Sequence, residues 1–179
     1  MKIISGKYRG KTLKTLDGEH TRPTTSRVKE SIFNIIQFNI SDSSVLDLFA
    51  GSGQMGIETL SRGATSCDFV DSNKSACSIV TANLKICEIP LRCTQTDYKS
   101  FLQNTKKTYD IIFLDPPYGT DLIKNSVNLI NNFKLLNKCG IIVCETSIND
   151  TIDVSQTDFC VHKSYKYGTI IITILKIKD

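Results

Sequence analysis

The hydrophobic residues of this chain follow two spacings in alternation, one typical of buried strands and the other of helices that bury one face. Short apolar runs bounded by turn residues predict strands over 45–49, 67–71, 91–94, 109–115 and 140–146. Helical spacing separates these runs, and strands that alternate with helices indicate an α/β fold with a mainly parallel sheet. Two closing strands, 159–167 and 169–177, are predicted to form an antiparallel pair around Gly168.

Helical spacing is clearest in four segments. The first is predicted to follow Pro23, which fixes the backbone at the start of a helix. Arg27 and Lys29 lie off the apolar stripe of this helix, which consists of Val28, Ile32, Ile35 and Ile36. The other three helices are predicted over 74–86, 98–105 and 121–136.

The first sixteen residues are predicted to form a small hairpin that presents basic and aromatic side chains. Short β-compatible segments flank Gly6 and Gly10, and Tyr8 beside Arg9 is suited to stacking on nucleic acid and pairing with it. We therefore predict two parts in the chain. Residues 1–20 form a basic N-terminal arm, and residues 21–179 form one further domain.

Length and composition agree with one ordinary globular unit. The chain has 179 residues, of which 40% are hydrophobic and 22% are charged, enough to bury a full core. No apolar run approaches the roughly 20 residues of a membrane span, and no signal-peptide pattern is present. The seven cysteines lack metal-binding spacing, so reduced thiols in a cytoplasmic, metal-free protein are predicted.

The positive charge is concentrated at the N-terminus. The net charge of the whole chain is +4, whereas residues 1–40 alone carry +5. The basic side chains of this segment are Lys2, Lys7, Arg9, Lys11, Lys14, Arg22, Arg27 and Lys29. A basic arm on a nearly neutral body favours a polyanionic partner such as a nucleic acid.

Residues 45–58 carry the pattern of a nucleotide site. A buried strand run with one charge, Asp47, precedes Gly51, Gly53 and Gly56 and then an amphipathic helix. The order G-x-G-x-x-G between a strand and a helix forms half of a nucleotide-binding βαβ unit, although dehydrogenases use the same turn. Because an acid at a helix N-terminus repels phosphate, Asp47 favours a cationic ligand, such as S-adenosylmethionine, over a dinucleotide.

Acids also follow the next two predicted strands. Asp71 lies twenty residues after Gly51, the distance at which βαβ folds place a carboxylate on a ribose diol. Asp97 could accept a hydrogen bond from an adenine amino group. Either residue could instead be an ordinary solvent-facing Asp at the end of a strand.

The fourth strand stops at the sequence Asp115-Pro116-Pro117-Tyr118. Two consecutive prolines hold the backbone rigid and extended. A carboxylate and a fixed carbonyl that accept both hydrogens of an exocyclic amine can aim its weak lone pair at a methyl donor. An aromatic neighbour can stack on a base held out of its helix. The motif therefore predicts methylation of an amino group on a nucleobase.

Several motifs together resemble a known family. They are Tyr8-Arg9-Gly10, Arg22-Pro-Thr-Thr25, Lys29-Glu-Ser-Ile-Phe-Asn34, Leu46-Asp-Leu-Phe-Ala-Gly-Ser-Gly53, Gly56-Ile-Glu58, Ser61-Arg-Gly-Ala64, Phe113-Leu-Asp-Pro-Pro-Tyr118 and Lys166-Tyr-Gly168. In these motifs the chain resembles the bacterial RsmD-type methyltransferases, which modify a guanine N2 in small-subunit ribosomal RNA. The likeness runs nearly from end to end.

The resemblance implies a Rossmann-like methyltransferase with a seven-stranded sheet, its last strand antiparallel, and S-adenosylmethionine as the cofactor. By matching position, Asp47, Gly51 and Gly53 are implied at the methionine end, Asp71 at the ribose and Asp97 at the adenine. The full cofactor set is Asp47, Phe49, Ala50, Gly51, Ser52, Gly53, Asp71, Ser72, Asp97 and Tyr98. The family usually has Glu where this chain has Asp71, which reaches less far with the same chemistry.

The implied partner is 16S ribosomal RNA, either naked or within a small-subunit assembly particle, and the protein is expected to be a monomer without a membrane partner. The residues predicted to bind this RNA are Lys7, Tyr8, Arg9, Lys11 and Arg22. The catalytic set is Asp115, Pro116, Pro117 and Tyr118.

Other classes of protein share parts of this pattern. An adenine-N6 DNA methyltransferase also uses Asp-Pro-Pro-Tyr, but usually carries a further target-recognition region. A glutamine-modifying protein methyltransferase would favour Asn at position 115, and a cytosine-C5 enzyme needs a cysteine after proline. A non-catalytic RNA-binding assembly factor would keep the basic arm without needing Asp47 or Asp115.

Overall fold

The computed structural model describes residues 1–15 and 26–178 and contains a seven-stranded sheet with helices on both faces. The strands are β1 (Ser44–Asp47), β2 (Ser66–Asp71), β3 (Cys93–Gln95), β4 (Tyr109–Leu114), β5 (Leu136–Ser147), β6 (Phe159–Tyr167) and β7 (Ile170–Ile177). The helices are α1 (Ser26–Ile35), α2 (Gln37–Ile40), α3 (Gln54–Ser61), α4 (Lys74–Ile86), α5 (Tyr98–Asn104) and α6 (Leu122–Asn132).

The sheet has the order β3-β2-β1-β4-β5-β7-β6. Strands β3, β2, β1, β4 and β5 pair in parallel, whereas β7 runs antiparallel to both of its neighbours. The predicted Rossmann-like fold with an antiparallel last strand is therefore confirmed. Strand order reverses between β1 and β4, and open α/β sheets bind ligands in the crevice outside such a point.

The core consists of two clusters, one on each face of the sheet. Successive strand residues alternate between the clusters, as Val45 and Leu46 show in β1. Helices α1, α3 and α4 cover the first face, and α5 and α6 cover the second. Both faces of the central strands are buried, which explains their continuous apolar runs.

The predicted bounds of three elements, α6, β5 and β3, are wrong. The helix predicted over 121–136 ends at Asn132, because Lys134 adopts a positive φ of 52° and turns the chain back toward the sheet. Strand β5 then begins at Leu136, earlier than predicted, and pairs with Tyr109 of β4. The strand predicted over 91–94 is shorter and lies at Cys93–Gln95.

The N-terminal segment packs closely on the rest of the chain. Lys2 and Thr12 form a single antiparallel bridge, and Ile3 and Leu13 are buried in the first core cluster. Gly6 has a φ of +80°, and a Cβ there would lie 1.7 Å from the carbonyl oxygen of Ser61. Only glycine fits this backbone conformation at so close an approach. These contacts fix residues 1–13 against α3.

Lys29 departs from the helical pattern predicted for α1. Its side chain lies off the stripe of Val28 and Ile32, yet it is fully buried and ion-paired with Glu58, with Nζ 3.2 Å from Oε2. The charge of Lys29 is therefore directed into the protein rather than toward a polyanion. Arg27, by contrast, is exposed.

Candidate active site

The crevice at the strand-order reversal contains two acids from neighbouring strands. Asp47 is the last residue of β1, and Asp115 directly follows β4. Because β1 and β4 pair in parallel, their carboxyl ends meet at the same edge of the sheet. The negative charge of Asp47 is among the influences that raise the pKa of Asp115, so the two groups act in one electrostatic environment.

The glycine turn after β1 is shaped by backbone conformations that favour glycine. Gly51 and Gly53 have φ values of +54° and +75°, and α3 begins directly after them. A Cβ on Gly56 would lie 2.3 Å from the ring of Phe69, so this position permits α3 to pack tightly on β2. No atom lies within 4 Å of where a Cβ on Gly51 would stand, which leaves its backbone open to a ligand.

Asp71 fastens this turn to the end of β2. Its Oδ2 accepts a hydrogen bond from the backbone N–H of Gly51 at 2.9 Å, and its Oδ1 accepts one from Asn73 at 2.8 Å. A carboxylate oxygen has more than one lone pair, so these bonds do not exhaust its capacity to accept. The structure thus brings Asp71 to the glycine turn, as its spacing predicts.

Asp47 is a buried carboxyl at the N-terminal end of α3. Its Oδ2 accepts a hydrogen bond from the backbone N–H of Gly56 at 3.0 Å. Burial raises the pKa of Asp47 to about 7, the Gly56 bond opposes this shift, and the charge of Asp71 adds to it. Because burial disfavours the ionised form of this carboxyl, the site is suited to a cationic ligand, whose charge favours ionisation.

We expect Asp47→Asn to stabilise the free protein at alkaline pH. An acid whose pKa is raised by folding gives stability that is present below about pH 4 and lost as the pH rises toward 7. The amide cannot ionise, so the variant should gain about 1–3 kcal/mol at pH 8 and little at pH 4. Urea unfolding at both pH values measures this difference.

The control for this experiment is Asp42→Asn, which changes an exposed acid in the turn before β1. Its stability should follow the wild-type pH dependence. If Asp47→Asn did so too, burial of the Asp47 carboxyl would not be a source of instability.

The remaining predicted cofactor residues lie around the same turn. The rings of Phe49 and Tyr98 are in contact, with centroids 5.8 Å apart. Ser52 follows Gly51, and its carbonyl accepts a bond from Asn83 of α4. Asp97 caps α5, since its Oδ1 accepts the Ser100 N–H at 2.9 Å. Hydrogen bonding to the side chain of Ser100, and then to its backbone N–H, lowers the pKa of Asp97. Ala50 is buried and Ser72 is exposed.

The sequence Asp115-Pro116-Pro117-Tyr118 forms a rim at the end of β4. Pro116 is buried, whereas Asp115, Pro117 and Tyr118 are exposed. Although Asp115 retains access to solvent, the protein that surrounds its carboxyl desolvates it, and this raises its pKa well above the usual range. The negative charges of Glu145 and Asp47 raise it further.

Sequence reasoning missed Glu145, a buried acid in β5. Because Leu114 pairs with Cys144, the next positions along the two strands bring Asp115 and Glu145 side by side. The hydroxyl of Tyr118 donates a hydrogen bond to Oε1 of Glu145 at 2.7 Å. The sequence feature that could have indicated Glu145 is the single acid near the end of the apolar run 140–146, since carboxylates are rarely buried unless they are paired.

A cavity of about 310 Å³ opens beside this motif, within the range of small-ligand sites. Its walls come from the turn after β4, the start of α6, the end of β5 and the loop that follows β5. Its lining includes Pro116, Pro117, Tyr118, Glu145, Asp150 and Ile152. The described residues contain no group of His, Cys, Asp and Glu arranged to hold a metal ion.

The predicted RNA-binding residues of the N-terminal segment lie around one aromatic ring. Lys7 and Lys11 place their ammonium groups 5.4 and 5.7 Å from the ring centroid of Tyr8, on which they make cation–π contacts. Lys11 also donates to the carbonyl of Ile86. Arg9 is exposed, and Arg22 lies outside the described residues.

No helix in the described ranges is both long and apolar enough to cross a membrane.

Comparisons with known proteins match nearly the whole chain. The family model described as conserved hypothetical protein 95 matches residues 1–176. YlbH of Bacillus subtilis is 38% identical over 181 residues, covering 98% of each chain. Ribosomal RNA small subunit methyltransferase D of Buchnera aphidicola subsp. Acyrthosiphon pisum is 35% identical, covering 86% of this chain and 82% of its own. The solved yhhF structure from Escherichia coli superimposes with a TM-score of 0.87 at 28% identity, covering 99% and 98% of the two chains.

Proposed function

The chain belongs to the family described as conserved hypothetical protein 95, the RsmD-type family, and from this premise we propose that it methylates a guanine N2 in 16S ribosomal RNA with S-adenosylmethionine. The observation that carries the proposal is the placement of Asp115-Pro-Pro-Tyr118 beside the glycine turn of β1. A site for a methyl donor and a clamp for an aromatic amine then share one edge of the sheet.

The residues around the glycine turn fit this methyl donor. S-adenosylmethionine supplies an electrophilic methyl group on a positively charged sulfonium. Gly51 leaves open space before the start of α3, where Asp47 supplies the negative charge that suits an ammonium or sulfonium group. We assign Asp71, which ends β2 and bonds to the glycine turn, to the ribose hydroxyls, and Asp97 with Tyr98 to the adenine.

The Asp115 motif performs the second half of the reaction. The N2 lone pair of guanine is delocalised into the ring, so it becomes nucleophilic only when both amine hydrogens are held in place. The carboxylate of Asp115 accepts one hydrogen, and the carbonyl of Pro116, held by the following proline, accepts the other. Tyr118 provides an exposed ring for stacking on the base. The proton released after methylation can move to the Asp115 carboxylate.

The direct test is methyl transfer from labelled S-adenosylmethionine to 16S ribosomal RNA, offered both naked and in small-subunit particles. Mass spectrometry of the digested nucleosides should show N2-methylguanosine. N6-methyladenosine would replace the proposal by adenine methylation, and tight RNA binding without any methylation would replace it by a non-catalytic assembly factor.

We further propose that residues 1–20 form an RNA-binding arm of the methyltransferase domain 21–179. Exposed Lys7 and Arg9 are the side chains best placed to neutralise phosphates, since the described contacts of the arm direct Lys11 partly toward α4. Replacing Lys7 and Arg9 together by Ala should weaken RNA binding. It should also reduce the slope of log affinity against log salt by about 1.5 to 2.

A matched control for this pair is Lys106→Ala with Lys138→Ala. Both lysines are exposed, and they lie near the amino-terminal ends of β4 and β5, away from the candidate active site. Fluorescence titrations of 16S RNA fragments at several salt concentrations compare the two double variants. Equal salt slopes for both would remove the arm from the RNA interface. Substitution is preferable to deletion, since Ile3 and Leu13 belong to the core.

A further inference from the structure

The cavity beside Asp115 contains a carboxylate that the proposed chemistry leaves without a task. Glu145 is 6% exposed, lines the cavity and stands next to Asp115 in the register of β4 and β5. Burying a carboxylate is unfavourable unless strong hydrogen bonds compensate for the lost hydration. Its proximity to Asp115 raises the pKa of that group, which adds to the penalty. The hydroxyl of Tyr118 supplies one such bond, so the position of Glu145 beside Asp115 and in the cavity wall, rather than its burial, points to a role toward the substrate.

The other acids of the cavity wall are engaged in shaping loops. Oδ2 of Asp150 accepts the backbone N–H of Ser147 at 3.1 Å, and Oδ1 of Asp153 accepts that of Ser155 at 2.9 Å. Asp121 is exposed at the start of α6. Glu145 is thus the buried acid of this wall, and the strand register holds it beside the group proposed to bind the target amine.

The edge of guanine that carries N2 also carries a neighbouring donor. In guanine the N1 atom bears a hydrogen, whereas in adenine N1 is a bare acceptor. Asp115 and Glu145 are neighbours in the register of β4 and β5, so a guanine whose N2 is held by Asp115 can present its N1 to Glu145. A carboxylate accepts an N1–H strongly and repels an N1 lone pair.

We propose, on the basis of the guanine-N2 function above, that Glu145 selects guanine by accepting the hydrogen of N1. The hydroxyl of Tyr118 already orients this carboxylate through its bond to Oε1, and a carboxylate oxygen accepts more than one hydrogen bond. The same two residues then recognise the base, Tyr118 by stacking on its face and Glu145 by bonding to its edge.

A substrate analogue separates this role from simple support of Tyr118. The base 2,6-diaminopurine has the same 2-amino group as guanine, but its N1 is an acceptor. We expect the wild-type protein to methylate the guanine substrate with a kcat/KM at least about a hundredfold higher than the diaminopurine substrate, because a buried acceptor rejects a partner that lacks the hydrogen. The RNA is the one that the wild-type protein modifies, with the single base replaced.

Glu145→Gln should reduce this preference by about tenfold or more. The amide can donate to N1 of diaminopurine, so guanine methylation should fall while diaminopurine methylation falls less or rises. Tyr118→Phe is the matched control, because it removes the hydroxyl bond to Glu145 and keeps both the ring and the carboxylate. Because the carboxylate remains and loses only the bond that orients it, the guanine-to-diaminopurine ratio of Tyr118→Phe should fall less than that of Glu145→Gln.

Two results would overturn the selection role. One is an equal decrease for both substrates in Glu145→Gln, which would assign Glu145 to structural support. The other is a wild-type preference below about threefold, and this measurement requires no folded variant. A wild-type protein that methylates neither substrate would show instead that the proposed function itself is wrong. Circular dichroism and S-adenosylmethionine affinity check that each variant keeps its fold.

Discussion

Asp115→Ala is expected to slow methyl transfer by about a hundredfold to a thousandfold while the fold and the affinity for S-adenosylmethionine stay unchanged. The carboxylate is proposed to hold the target amine, and Asp115 is exposed rather than part of the core. Orientation of the amine matters most in the transition state, so the rate constant should change more than the affinity for RNA. Single-turnover methylation with saturating protein measures this rate constant.

The wild-type rate should also depend on pH through Asp115. Burial and the neighbouring acids raise its pKa, so the reactive carboxylate forms only as the pH rises through that raised value. The rate should therefore increase with pH in the wild type, and the Ala variant should lack this increase. Asp121→Ala, which removes an exposed acid from the lining of the neighbouring cavity, is the control and should keep the wild-type profile. A folded Asp115→Ala protein with near wild-type turnover would show that Asp115 is not a catalytic residue.

The sequence predicts the fold well because the sheet interior imposes an unambiguous pattern. Strands β1, β4 and β5 are buried on both faces, so their apolar runs stand out from the amphipathic helices between them. The boundary between α6 and β5 was predicted wrongly for a physical reason. Leu135 and Leu136 continue an apolar spacing that suits a helix, and the turn that separates them from α6 depends on a positive φ at Lys134. Lysine has no preference for a positive φ, so the sequence does not predict this turn.

The candidate site divides in the same way. The sequence predicts Asp47, Asp71 and Asp115 as site residues because each lies at the end of a strand and close to a glycine turn or a proline pair, whose effects on the backbone are known. The sequence did not predict the place of Glu145 in the site or the burial of Lys29, because the partners of both residues are distant in sequence. Glu145 meets Tyr118 across 27 residues through the register of β4 and β5, and Lys29 meets Glu58 across 29 residues. Such pairings follow from tertiary packing rather than from a local pattern.

Glu58 holds the N-terminal segment, α1 and α3 together. Its carboxylate accepts the backbone N–H groups of Ile4 and Ser5 at 2.9 and 3.0 Å, Nζ of Lys29 at 3.2 Å and Nε of Arg62 at 2.9 Å. The Glu58 side chain is fully buried, and burial lowers the pKa of Lys29 while Glu58 raises it. The carboxylate therefore compensates a cation that would otherwise be isolated in the core.

Glu58→Ala should destabilise the protein by about 3–5 kcal/mol, because it leaves the buried charge of Lys29 and two partly buried amide donors without their acceptor. Urea unfolding measures this loss. Glu88→Ala is the control: its carboxylate lies 3.7 Å from Lys11 with 88% of the side chain exposed, and the expected loss is below about 1 kcal/mol.

Adding Lys29→Met to Glu58→Ala tests the cause of the loss. If the isolated charge dominates, the apolar side chain should recover a large part of the stability, since buried ion pairs can be replaced by apolar residues of similar volume. Hydrogen exchange at the amides of Ile4 and Ser5 should remain fast in the double variant, because their acceptor is still missing. Recovery of stability without recovery of amide protection would separate the two roles of Glu58, neutralising Lys29 and fastening the N-terminal segment. If the double variant were no more stable than Glu58→Ala, the lost backbone bonds would account for the whole effect.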